Sequence, residues 1–155
     1  MRISAKGEYA AKAVLHLSMN YPQVVTIHEV AASHRIPLKY LEQILLALRK
    51  AGLLESRRGV HGGYTLARPP AEISVGEVLR AVDGKFARAS CLEEDPADHH
   101  GCPEANACGL RQVWANLQAT VERILFDTSF AEVCGRNREA QAKNGQLVGG
   151  FNPDR

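Results

Sequence analysis

Three segments of helical period followed directly by a glycine-tipped hairpin restrict the fold of this chain more than any single motif does. The spacing of Tyr9, Ala13, Val14, Leu15 and Leu17 predicts a first helix that opens after Ser4 and runs to about Asn20, where Tyr21-Pro22 ends it. Thr26 is placed to cap a second helix, with Glu29 completing a capping box and Val30, Ala31 and Ala32 continuing the turn. After the turn His34-Arg35-Ile36, Pro37 occupies a favoured first-turn position of a third helix, which reaches about Ala51 with Leu41, Ile44, Leu45 and Leu48 inward. Gly52 stops it. Two short extended runs, Leu53 to Arg58 and Tyr64 to Arg68, then flank Gly59-Val60-His61-Gly62-Gly63, whose glycines permit a tight tip. A mostly α chain in this order reads as a winged helix-turn-helix, with a recognition helix for the DNA major groove and a small β-hairpin as the wing.

The rest of the chain has a different character. Ser74 caps a fourth helix with Val75, Val78, Leu79 and Val82 on one face, ended by Asp83-Gly84. Residues 85–109 keep no period and read as a loop. Leu110, Val113, Trp114, Leu117, Val121, Ile124 and Leu125 then mark a long helix to about Phe126, whose apolar seam is wide enough to pack on the domain and on a partner chain. Thr128-Ser129 caps a short closing helix through Ala131, Val133 and Cys134, with Cys134 as a small buried residue. From Arg136 onward the chain is polar and glycine-bearing, which reads as a loose tail. The expected organisation is a DNA-binding region over 1–84, a cysteine-bearing loop over 85–109, a dimerisation helix with a short closing helix over 110–135, and a flexible tail over 136–155.

Charge is unevenly divided: residues 1–84 hold 11 Lys/Arg against 7 Asp/Glu, net +4, whereas residues 85–155 hold 8 against 10, net −2. The first part is the better candidate for touching phosphate. At 45% hydrophobic and 23% charged residues the composition excludes disorder throughout. The N-terminus has no apolar stretch of the signal-peptide kind, and the longest apolar run, Ile44 to Leu48, is too short to span a bilayer, so no membrane association and a cytoplasmic location are expected. With no glycine-rich phosphate loop, no Gly-x-Ser-x-Gly elbow and no Cys-x-x-Cys pair, the sequence offers no catalytic constellation, and the chain is not expected to be an enzyme.

Two groups of residues carry the chemistry. On the third helix, Gln43 has the chemistry to pair with adenine and Glu42 to accept from cytosine N4, while Lys39 and Tyr40 suit phosphate. Arg57, Arg58 and His61 beside the glycine tip suit a narrow minor groove. The second group is Cys91, Cys102 and Cys108, in the pattern Cys-x10-Cys-x5-Cys. In a reducing compartment such cysteines act as metal ligands or redox thiols rather than structural disulfides. Three soft thiolates on one segment suit an iron-sulfur cluster, and with a fourth His or Glu ligand they also suit zinc; a metal-free thiol sensor or partner-binding regulator is the remaining reading. His99 and His100, close to Cys102, are further ligand candidates.

Tyr40-Leu41-Glu42-Gln43-Ile44-Leu45, Leu48-Arg49-Lys50-Ala51-Gly52-Leu53 and Arg58-Gly59-Val60-His61-Gly62-Gly63-Tyr64-Thr65-Leu66-Ala67 resemble the bacterial transcriptional regulators typified by IscR, NsrR and RirA. The likeness runs from Met1 through the long helix near Phe126. It implies a homodimer on a near-palindromic double-stranded DNA operator, mostly repressing, with Glu42 in the place of the family's base-reading glutamate and Arg58 in that of its wing arginine. It also implies an iron-sulfur cluster, 2Fe-2S or 4Fe-4S, that responds to redox state, nitric oxide or iron and cluster supply. Cluster-binding members carry three cysteines between the fourth helix and the dimer helix, as here, although the gap between Cys91 and Cys102 is longer than usual. Members with a histidine ligand place it three residues after the last cysteine, where this chain has Arg111. Others use a carboxylate near the start of the first helix, donated across the dimer, and Glu8 stands there; the alternative role for Glu8 is an i,i+4 ion pair with Lys12.

Overall fold

Hydroxyl side chains set the first turn of four helices in the computed structural model, which describes residues 3–84, 92 and 108–148. Ser4 Oγ accepts from the Gly7 N–H at 2.9 Å and opens α1, Ala5–Met19. Thr26 Oγ1 accepts from the Glu29 N–H at 3.2 Å and opens α2, Ile27–His34. Glu29 does not return the bond that a full capping box requires; its carboxylate lies toward His16 of α1 instead. Helix α3, Leu38–Lys50, begins at Pro37 and needs no donor there.

The wing is the antiparallel pair β1, Leu54–Arg57, and β2, Gly63–Leu66, in register Leu54↔Leu66 through Arg57↔Gly63. Gly59, at φ +111°, and the Gly62 N–H to Gly59 C=O bond of 2.9 Å close its tip. A Cβ at Gly63 would run into the Val25 carbonyl, and this absence of a side chain lets Val25 and Tyr64 exchange backbone bonds of 2.9 and 2.8 Å. The base of the wing is thereby tied to the segment between α1 and α2.

A 3-10 turn, Pro70–Glu72, leads to α4, Val75–Asp83. Here the capping box is complete: Ser74 Oγ accepts from the Glu77 N–H at 3.2 Å, and the Glu77 carboxylate accepts from the Ser74 N–H at 2.8 Å. Burial pushes the Glu77 carboxyl up, but the bonds from the Ser74 backbone, Arg68 and the Ser74 hydroxyl, with the Arg68 charge, outweigh it and hold the group below the ordinary glutamate range. Ser74→Ala removes the hydroxyl half of the box and is expected to cost about 1 kcal/mol. Circular dichroism melting of the variant should show a midpoint lower by roughly 2–4 °C.

Helix α5, Gly109–Asp127, buries no residue in the single chain. Helix α6, Phe130–Val148, departs from the expected short closing helix and loose tail, because it continues well past Arg136. Its polar stretch Arg136–Lys143 is rich in Arg, Glu, Ala, Gln and Lys, which are strong helix formers, and these outweigh Gly135. Its start is anchored: Ser129 and Glu132 exchange capping bonds of 2.9 and 3.3 Å, and Phe130, 1% exposed, donates its N–H to the Ile73 carbonyl at 2.9 Å. The core gathers Leu17, Val30, Leu41, Ile44, Leu45, Leu48, Val78 and Phe130 from α1, α2, α3, α4 and α6. Cys134 belongs to this buried set as expected, and burial pushes its thiol up, with Arg138 acting in the opposite direction.

Candidate nucleic-acid interface and thiol-bearing segment

The inward face of α3 is saturated by Leu41, Ile44, Leu45 and Leu48, so the alternate face must meet solvent. Lys39, Glu42 and Gln43 are exposed there. Tyr40 is only partly exposed, because its ring stands edge-on to Tyr9 of α1, centroids 5.8 Å apart and planes at 83°. Arg57, Arg58 and His61 are exposed on the wing, and Val60 at its tip is 98% exposed. Arg49 Nη1 donates to Ser56 Oγ at 3.1 Å and links the end of α3 to β1. Sequence spacing alone does not mark Tyr9 and Val60 as parts of this surface. Tyr9 looks like one more member of an apolar stripe, and its pairing with Tyr40 requires the three-dimensional approach of two helices.

Of the three spaced cysteines, Cys108 lies within the described residues; Cys91, Cys102, His99 and His100 lie outside them. Cys108 is the N-cap residue of α5, half-buried, with its thiol free of any capping bond. It therefore joins the cysteine-bearing segment to the long helix without an intervening linker. Among the described residues no cluster of three or more His, Cys, Asp or Glu side chains is placed to hold a metal ion. The donor set named by the sequence, three thiolates and a carboxylate, is chemically suited to iron-sulfur or zinc ligation.

Glu8 is exposed on the first turn of α1. Its alternative partner Lys12 places Nζ over the Tyr9 ring, 5.8 Å from the centroid. The turn that carries Glu8 is locked to the end of α4. Ser4 Oγ donates to both Asp83 carboxylate oxygens, at 2.7 and 2.6 Å, Lys6 Nζ donates to the Val82 carbonyl at 2.9 Å, and Gly7 packs so closely on Asp83 that a Cβ there would clash. Residue 84 then leads straight into the cysteine-bearing segment.

Along α5, Leu110, Val113, Trp114, Leu117 and Ile124 are exposed. Among the described residues nothing lies over this apolar face. No helix of the described residues is long and apolar enough to cross a membrane.

The family model described as Rrf2, an iron-dependent transcriptional regulator, matches residues 3–136. The HTH-type transcriptional regulator IscR of Aliivibrio salmonicida is 33% identical over 149 residues, which is 96% of this chain and 86% of that protein. Among solved structures, T. potens IscR aligns with a TM-score of 0.72 at 30% identity, covering 91% of each chain. CymR, the global cysteine regulator of B. subtilis, also aligns with a TM-score of 0.72, at 26% identity over 88% of this chain and 98% of that one.

Proposed function

This chain belongs to the Rrf2 family of transcriptional regulators, not enzymes, and on that premise we propose that it is a homodimeric operator-binding repressor governed by an iron-sulfur cluster on Cys91, Cys102 and Cys108. The observation that carries the reading is Cys108 at the N-cap of α5, which sets the last residue of the thiol segment directly against the start of a helix with an exposed apolar face. When bound, such a cluster supplies a redox- and nitric-oxide-reactive centre.

The chain's own residues supply the rest. Glu42 and Gln43 read bases from α3, Lys39 and Tyr40 hold phosphate, and Arg57, Arg58 and His61 follow the minor groove from the wing. Glu8 completes the ligand set from the neighbouring subunit. It lies between Gly7, packed on Asp83, and Tyr9, whose ring meets Tyr40 of α3. A pull on Glu8 thus reaches the recognition helix through one side-chain contact, and a shift of α5 changes the separation of the two recognition helices, which the DNA turn holds to a fixed spacing.

A second reading is favoured by the likeness to CymR: the same fold serves a cysteine regulator, so thiol chemistry or a partner protein is the competing signal. Anaerobic purification followed by iron and sulfide analysis separates the two. We expect iron and acid-labile sulfide in the wild-type chain, and their loss when Cys91, Cys102 and Cys108 are together changed to Ser. Binding to a fluorescein-labelled duplex selected from a random pool should fall with that loss. A wild-type chain without iron or sulfide supports the thiol reading, and zinc without sulfide supports a structural metal.

A further inference from the structure

Two imidazoles that take no part in the reading above meet between α1 and α2. His16, near the end of α1, and His34, the last residue of α2, pack edge to face, with ring centroids 5.3 Å apart and planes at 85°. The Nε2 atom of each is sealed from solvent and has no hydrogen-bond partner. Unpaired buried ring nitrogens are uncommon in folded proteins, and two in neighbouring rings invite a functional explanation.

Charges face the pair from both helices. Glu29 of α2 places Oε1 3.6 Å from His16 Nε2, just outside hydrogen-bond reach, and Lys12 of α1 acts on His34. Burial, the His16 ring and Lys12 together hold His34 below the ordinary imidazole range. A proton on His34 would set a charge in a poorly hydrated place, against the His16 ring and repelled by Lys12. Parting α2 from α1 relieves that repulsion by bringing His34 Nε2 to water.

The movement would not stay in α2. Arg35, in the left-handed region at φ 52°, is followed by Ile36, Pro37 and the start of α3 at Leu38, so the link is short and holds little slack. Ile36 is buried and returns its N–H to the Ala31 carbonyl at 3.0 Å. A displaced His34 therefore shifts the base of the recognition helix.

We propose that His16 and His34 form a proton-operated latch between α1 and α2, closed at neutral pH, whose opening under mild acid displaces α3 and weakens DNA binding. The sign follows from proton counting. The closed state binds His34's proton less readily than the open state, so closure loses ground as pH falls through about 6.5. With one proton taken up on opening, the opening equilibrium rises by up to about tenfold between pH 7.5 and 5.5.

The DNA consequence rests on the assignment of α3 as the reading helix, but the opening itself is measurable without DNA. Hydrogen exchange of the α2 amides in the full chain, corrected for intrinsic pH dependence, should show opening greater at pH 5.5 than at 7.5, by up to about tenfold. His34→Leu and His34→Gln, one apolar and one polar so that at least one folds, should remove the rise. Fluorescence anisotropy with the duplex selected at pH 7.5 should show the wild-type chain about twofold weaker at pH 5.5, the loss expected when the open state is about a tenth as populated as the closed one at pH 7.5, and the variants unchanged or tighter. Wild-type exchange that is flat with pH, or an equal rise in both variants, overturns the latch. Opening without any loss of affinity overturns its link to α3. Failure to bind the duplex even at pH 7.5 instead sinks the DNA-reading proposal and leaves the exchange result standing.

Discussion

Changing Leu117 and Ile124 together to glutamate is expected to give a folded monomer whose affinity for the selected duplex is lower by about 10² to 10⁴. These side chains are 46% and 57% exposed in the single chain, and α5 buries nothing, so neither substitution disturbs the core. The fold should survive. An uncovered face that includes Leu110, Val113, Trp114, Leu117 and Ile124 is larger than the scattered apolar residues of an ordinary surface, and a second copy presenting the same face is its simplest cover. Each fully buried Leu or Ile contributes roughly 1.5–3 kcal/mol, and a twofold pair would have to bury four new carboxylates in place of those methyl groups. Separation removes the second recognition helix from the complex, and with it the effective concentration that makes two weak half-site contacts into one strong one. Sedimentation velocity reads the first step and anisotropy the second. A variant that still sediments as a dimer sinks the α5 seam, and a monomer that binds as well as the wild type sinks the requirement for pairing.

The same helix illustrates how far the sequence alone reaches. Its seven apolar positions fix both its existence and its exposed face, because a 3.6-residue period is a local property that survives without tertiary information. Ser4, Thr26 and Ser74 mark helix starts for the same reason: a hydroxyl and the amide three residues on are neighbours in the chain. The hairpin tip at Gly59-Val60-His61-Gly62 is equally local. What the sequence conceals lies between distant segments. The Val25–Tyr64 exchange, the Ser4–Asp83 clamp and the His16–His34 contact each join residues that no period or spacing connects. The stretch beyond Arg136 misleads in the other direction, because polar composition and a glycine suggest a tail where helix-forming residues and an anchored start extend α6 to Val148.

That anchored start also sets the largest expected loss of stability. Phe130→Ala is expected to destabilise the chain by about 3–5 kcal/mol, since the ring is among the most completely buried of the described residues and its loss leaves a cavity. The site is a joint rather than a simple core position. Phe130 donates to Ile73, Val75 donates to the Thr128 carbonyl at 2.9 Å, and Ser74 and Ser129 form an isolated bridge, so the α5–α6 corner is stitched to the residues that open α4. Those backbone bonds depend on the ring to keep the corner seated. Gly76 on α4 has no room for a Cβ, because the Phe126 ring of α5 lies about where it would stand, with atoms at 2.8–2.9 Å. Loss of the Phe130 ring should therefore loosen α5 and α6 together and lower the melting midpoint by roughly 10 °C, whereas Phe130→Leu, which keeps most of the apolar volume, should lose much less. Calorimetry of the two variants checks the ordering. Equal melting of Phe130→Ala and wild type would mean that α6 is not what holds the corner, and that the helix beyond it could be removed without consequence for α5.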